Sequence, residues 1–264
     1  MKPLSKLPAE RAASLEGLLF DLDDTVLSHG LLTREAFGAL WDLHEAGLFL
    51  VAVTGRPSAW GEVIARQWPI DGAVTENGAV HVVREGKGVH VLFDGEEDEV
   101  RSRRDALDEL VATVARELPH VRLADDSHGR RADVAWDIAE RVTLPDADVA
   151  ALDRIARARG ARTTRSTVHL HATYERDDKA SGVVRFLRLR RGIDVGAALH
   201  RYAFVGDSAN DAACFSAFAT TFGVANVRAF ADKLSVPPRW IAPSERGAGF
   251  AEVARRILES RGAR

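Results

Sequence analysis

The sequence predicts an α/β fold: a parallel sheet covered by helices on both faces, interrupted by a second unit of α+β character. Three observations carry this. Short apolar runs alternate with segments of helical spacing. The runs are continuous rather than alternating, as strands buried on both faces require. Each run stops abruptly at small or acidic residues.

Those runs are Gly17-Leu18-Leu19-Phe20 before Asp21, Leu48 through Val53 before Thr54, and Tyr202 through Val205 before Gly206 and Asp207. Helical spacing follows each of them, over Thr33–Ala46, Ser58–Trp68 and Asn210–Phe218. Trp41, Trp60 and Trp68 fall in these helices or at their ends and read as packing residues. Residues 84–170 have a different texture, with charged helices near Asp98–Glu117 and Asp146–Arg159. The stretch Arg131–Ala139 alternates polar and apolar residues, the pattern of a half-exposed antiparallel strand. Residues 1–83 and 171–264 are therefore expected to form a discontinuous core around an inserted domain of residues 84–170. No repeat is visible, and the ends, before Leu15 and after Glu259, read as loosely held.

Composition narrows the function. The 264 residues carry 36 Lys+Arg against 39 Asp+Glu, a formal charge of −3, which gives no global attraction to nucleic acid or an anionic membrane. Cys214 is the only cysteine, so neither a disulfide scaffold nor a cysteine zinc cluster is available. The first residues, MKPLSKLPAERAASLEG, break any leader-like apolar stretch with charges and prolines. No apolar run approaches the roughly 20 residues that span a bilayer. The expected address is the cytoplasm, and the expected partner is a small molecule.

Ligands of open α/β sheets bind beyond the carboxyl ends of the strands, so the polar residues that end the three runs mark a candidate site. Asp21 and Asp23, two apart, would point to one side of an extended chain. Like charges at close range resist joint ionisation, which suits a nucleophile beside an acid/base. Asp207 and Asp211, in Gly206-Asp207-Ser208-Ala209-Asn210-Asp211, can help hold a hard cation such as Mg2+. Thr54-Gly55-Arg56 offers a hydroxyl and successive N–H groups to phosphate oxygens. Lys179 would bring positive charge to a transferring phosphoryl group. Each of these fragments also has an ordinary structural explanation; their combination carries the functional reading.

In this order, FDLDDT, VTGR, DDK and GDSAND resemble the four motifs of the haloacid dehalogenase (HAD) superfamily of phosphatases. Asp21 and Thr54 are 33 positions apart, too few for a domain, whereas Thr54 and Lys179 are 125 apart. The insertion between them, with Thr75-Glu76-Asn77-Gly78-Ala79 ahead of it, is similar to the α/β cap of subclass IIB (Cof-like) members. Gly223-Val224-Ala225-Asn226 and Gly247-Ala248-Gly249-Phe250 resemble C-terminal elements of that group. The resemblance implies a Rossmann-like doubly wound core, Asp21 as the nucleophile that forms an aspartyl-phosphate, and Asp23 as the acid/base. It further implies Thr54, with Gly55, Arg56, Asn77 and Asn210, on the substrate side, and Lys179 stabilising the phosphoryl group. Mg2+ would be held by Asp21, the Asp23 carbonyl and Asp207, with Asp211 supporting its shell. The implied activity is Mg2+-dependent hydrolysis of a small phosphomonoester such as a sugar phosphate. A sugar phosphomutase is the alternative. A non-enzymatic phosphoacceptor, like a receiver domain, is opposed by motif order and length.

Some residues stay outside this assignment. His169 and His171 alternate on an expected strand without a third metal ligand and read as ordinary strand residues, with substrate contact as the alternative. Arg56 could reach a phosphate or pair with an acid. Glu76 is a candidate for the rim of the site. Arg101, Arg103 and Arg104 read as a solvated face. Asp125, Asp126, Ser127 and His128 read as a loop of the insertion that could face the crevice.

Overall fold

The computed structural model of the chain describes residues 1–166 and 168–262. In chain order the strands are β1 (Lys2–Pro3), β2 (Gly17–Phe20), β3 (Leu27–Ser28), β4 (Leu31–Leu32), β5 (Phe49–Val53), β6 (Gly72–Thr75) and β7 (Val80–Glu85). They continue with β8 (Gly88–Leu92), β9 (Asp133–Asp137), β10 (Arg162–Arg165), β11 (His169–Thr173), β12 (Tyr202–Gly206), β13 (Thr220–Gly223) and β14 (Trp240–Ile241).

The large sheet runs β1-β14-β13-β12-β2-β5-β6-β7-β8. Pairing is parallel from β1 through β6, and β7 and β8 add an antiparallel hairpin at one edge. Helices cover both faces. Arg34–Glu45, Ser58–Gln67 and Arg246–Ser260, the last through Phe250, pack against Leu18, Phe20 and Leu50 on one side. Lys179–Arg191, Val195–Arg201 and Ala212–Ala217 enclose Leu19, Val51, Phe186 and Phe204 on the other. The chain winds outward from β2 through β5 and β6, and outward the other way from β12 through β13 and β14. The order therefore reverses between β2 and β12, where a doubly wound sheet opens its crevice.

A second, antiparallel sheet of order β10-β11-β9 carries helices Glu97–Glu117 and Asp146–Ala158 on one face, over a core that includes Leu107, Leu110, Trp136 and Leu152. Strand pairing moves both expected edges of the insertion. The hairpin β7–β8 joins the large sheet as far as Leu92, and β11 stays with the small sheet as far as Thr173. The alternation in Val89–Leu92 belongs to an edge hairpin with one exposed face, which looks in sequence like a strand of the insertion.

Other expectations are corrected too. The N-terminus is not loose: β1 pairs with β14, and Leu4 and Leu7 are buried. At the other end the last helix continues to Ser260, and residues 263–264 lie outside the described residues. Strand β9 is buried along its whole length, because its polar face looks toward the core rather than toward solvent. Trp68 packs as expected, whereas Trp41 and Trp60 are exposed. Arg103 does not lie on a solvated face. It donates to Glu175 at 2.8 Å and to the Asp94 carbonyl, joining the two connections that lead into and out of the insertion.

His81 on β7 is fully buried against Phe186, and neither ring nitrogen meets a hydrogen-bond partner among the described residues. Burial, with Arg185 nearby, pushes its pKa down to about 3. The folded pKa lies below the unfolded one, so the contribution of this group is complete above about pH 6.5 and drains away as pH falls toward about 3. About 2 kcal/mol should be gone by pH 5. His81→Phe is expected to raise the melting temperature most at pH 5, with the difference shrinking toward pH 8.

Candidate active site

Four strand ends of the large sheet supply the site. Asp21 follows β2, and its N–H donates to Val205 O of β12 at 2.9 Å, which brings Asp207 alongside. Thr54 follows β5, and Glu76 and Asn77 follow β6. Two hydrogen bonds stitch these last loops together: Asn77 N to Thr54 O at 3.1 Å and Glu76 N to Arg56 O at 3.0 Å. Glu76, Asn77 and Gly78 take successive φ values of +51°, +56° and +110°. Gly78 has no alternative, since a Cβ there would lie 2.0 Å from the Asp178 carbonyl. This contact seats the start of helix Lys179–Arg191, where Asp178 caps Ser181 N at 2.8 Å and sends Lys179 inward.

Lys179 Nζ donates to Asp21 Oδ1 at 2.7 Å and Asp211 Oδ1 at 2.8 Å, and all three residues are buried. Asp211 spends its other oxygen on the N–H groups of Asp207 and Ser208. Burial raises the Asp21 carboxyl, Lys179 pulls against that shift, and Asp211, Asp207 and Asp23 add to it. Burial and Asp211 push Asp207 up to about 7. Burial disfavours the Lys179 charge, but Asp21 and Asp211 outweigh this and hold its pKa above the ordinary range.

Asp21, Asp207 and Asp211 each offer an oxygen within 4.8 Å of the others. Three carboxylates against one ammonium leave two negative charges uncompensated in a buried volume, a deficit that a divalent cation cancels. The donor set is all oxygen, which fits Mg2+. Adding MgCl2 is expected to raise the melting temperature, by about 2.7 kcal/mol of stability at a hundredfold excess over Kd, and EDTA to reverse it. Thermal melts of the wild type and Asp207→Asn check this, with the variant losing most of the response.

Asp23 stands apart from that cluster. The chain leaves the strand after Phe20 and turns over Leu22–Val26, so the two acids do not lie on one continuous extended stretch, although both line the same cavity. The Asp23 carboxylate is half-exposed and bound by Arg56, with contacts of 2.6, 2.9 and 3.1 Å. Burial works against the Arg56 charge, but Asp23 more than offsets it and raises the pKa. The Arg56 guanidinium also lies 4.1 Å from the Trp60 ring.

A cavity of about 920 Å³ lies between these strand ends and the small sheet. It is lined from below by Asp21, Asp23, Gly55, Arg56, Asn77, Asp207 and Asn210, and from above by Asp125, Asp126, Arg130, His169 and His171. Thr54 is buried beneath it, its Oγ1 accepting from Arg56 N at 3.1 Å. Lys179 lines a small recess that shares Asn77, His171 and Asn210 with the cavity. Ser127 and His128 form a short turn beside Asp126 and do not line the cavity.

Several participants were not visible in the sequence. Asn226 donates to Asp207 Oδ2 at 2.8 Å and the Asp24 carbonyl at 3.0 Å, and only its place in the GVAN segment hinted at a role. Arg246 pairs with Asp24 at 2.8 Å. Glu76 is no rim residue. Its carboxylate is buried and accepts from Ser58 N on the core and from Arg131 N, Ala132 N and Asp133 N on the insertion, at 2.7 to 3.1 Å. Burial and the Asp133 charge push it up to about 7 against these N–H donors. Arg130, from the insertion, donates to Gly55 O at 3.0 Å and so bridges to the TGR loop.

No family model matches the sequence, and no curated protein matches it. Solved structures do match. A protein of Thermoplasma acidophilum superposes with a TM-score of 0.72 at 18% identity, over 92% of this chain and 98% of that one. The sucrose-phosphatase of Synechocystis, in complex with sucrose and phosphate, gives 0.66 at 15% identity, over 92% and 98%. A HAD-superfamily phosphatase of Bacteroides thetaiotaomicron gives 0.63 at 18%, over 94% and 95%. The fold is that of the HAD phosphatases. Among the described residues no helix is long and apolar enough to cross a membrane.

Proposed function

We propose that the chain is a Mg2+-dependent phosphomonoester hydrolase acting through an aspartyl-phosphate on a small phosphorylated metabolite, a sugar phosphate being the expected class. One observation carries the reading: Asp21 and Asp207 lie at the floor of a cavity that Asp23, Gly55 and Arg56 also line, and they cluster with buried Asp211 and Lys179 so that two negative charges stay uncompensated. Phosphoryl transfer asks for positioning and charge neutralisation, and a divalent cation on this floor would supply the second.

Asp21 attacks the phosphorus, the ester bond breaks, and Asp23 delivers a proton to the departing oxygen. Water then attacks the aspartyl-phosphate, gives its proton back to Asp23 and releases inorganic phosphate. Arg56 has to leave Asp23 for this to work, and phosphate oxygens are the natural exchange partner for a guanidinium fork. Asn77 and Asn210 line the cavity as further donors to the substrate. Bound Mg2+ would supply the missing positive charge beside Asp21 and Asp207. The insertion serves as the cap over the leaving group.

The test is a panel of phosphorylated metabolites and an aryl phosphate, assayed with Mg2+ and with chelator. Free phosphate that appears only with the metal is the expected result. Isomerised sugar phosphate without free phosphate would mark a mutase instead. Inertness across the panel would overturn catalysis altogether.

A further inference from the structure

We propose that His171 is a hydroxyl-reading subsite in the cap, its Nε2 accepting a hydrogen bond from a hydroxyl of a neutral polyol leaving group. This rests on the hydrolase reading above and specifies its substrate class.

His171 lies in the middle of β11, is 7% exposed, and lines the cavity that also holds Asp21 and Asp23. Its Nδ1 is 3.0 Å from Asp133 Oδ2. A carboxylate only accepts, so Nδ1 carries the proton. Asp133 is already matched by Arg130, whose Nη1 donates to both of its oxygens at 2.9 and 3.1 Å. Burial, the largest influence on the ring, lowers its pKa; Asp133 pulls the other way but does not outweigh burial and the nearby Arg130. The imidazole is neutral, and Nε2 presents a lone pair that meets no partner among the described residues.

A buried acceptor on a cavity wall that closes over a ligand needs a donor from that ligand, or it forfeits its hydrogen bond to water. Phosphate and carboxylate groups bring lone pairs, whereas a hydroxyl brings hydrogen. His169, its ring 5.8 Å away, also lines the cavity and is engaged by Glu140 at 2.8 Å. Sites built to bond a hydroxyl reject analogues that lack it far more strongly than apolar pockets reject a missing methylene.

The experiment compares kcat/KM for sorbitol phosphate and hexyl phosphate, which differ in the hydroxyls of the leaving group. The wild type is expected to prefer sorbitol phosphate by about tenfold or more, and His171→Leu to erase most of that preference. His171→Phe is the second variant, useful if the first folds poorly. It keeps a planar ring at this position but removes both ring nitrogens, so the preference should fall while Asp133 keeps its pairing with Arg130. An unchanged ratio in both variants, or a wild type that prefers hexyl phosphate or a carboxylated ester, overturns the subsite but leaves the hydrolase intact. A wild type inert toward these esters and an aryl phosphate alike overturns the hydrolase reading, and the subsite with it.

Discussion

Asp21→Asn is expected to slow metal-dependent phosphate release from an aryl phosphate by about 10⁴-fold or more, the scale on which losing a nucleophile that works within a unit is felt. The substitution keeps the shape of the side chain but replaces an anionic oxygen with an amide that cannot carry a phosphoryl group. The fold should not suffer. The Asn carbonyl can still accept from Lys179, which sits 2.7 Å from Asp21 Oδ1 and keeps its second carboxylate partner, Asp211. Removing one of three buried carboxylates also reduces the uncompensated charge from two to one, so the metal-free variant should melt no lower than the wild type and respond less to Mg2+. Activity and stability therefore move in opposite directions, a signature that a merely misfolded variant cannot produce. Turnover within tenfold of the wild type, measured by phosphate release on folded protein, would remove Asp21 as the nucleophile.

The sequence made much of the floor legible because Asp21, Thr54 and Asp207 sit at or just beyond the ends of continuous apolar runs. Where Phe20, Val53 and Val205 end, the chemistry begins, and parallel pairing of β2, β5 and β12 brings those ends together. The roof was less legible. Arg131–Ala139 showed its alternation, but alternation cannot say whether the polar face meets solvent or another unit. In fact His169 and His171 on β11 face the cavity, and Asp133 on β9 backs His171. Glu76 and Arg130 gain their roles only when the insertion docks on the core, through contacts 55 to 75 positions apart in the chain. The same limit hid the pairing of Lys2–Pro3, two residues too short to form a pattern, and the partner of Arg56, Asp23, 33 positions away in the chain.

Glu76 offers the other large effect. Its two oxygens collect N–H groups from Ser58 in the core and from three consecutive residues of the insertion, Arg131, Ala132 and Asp133. In Glu76→Ala those donors lose their acceptor while still buried, and each such orphan costs about 1 to 3 kcal/mol. Four at once exceed what one docking contact plausibly withstands, so the insertion escapes by lifting residues 131–133 into water. The loss is then capped at the free energy of undocking. Hydrogen exchange at the amides of 131–133 is expected to accelerate by about 100-fold or more, while the global melting temperature falls by only a few degrees. Arg130 would lose its hold on Gly55 O, and the roof of the cavity would leave with it, so kcat/KM for a sugar phosphate should drop more than kcat/KM for a small aryl phosphate. Glu76→Gln, which keeps one oxygen among the same donors, should fall between the two. If the amides of 131–133 exchange no faster in Glu76→Ala than in the wild type, the carboxylate is not what holds the cap to the core.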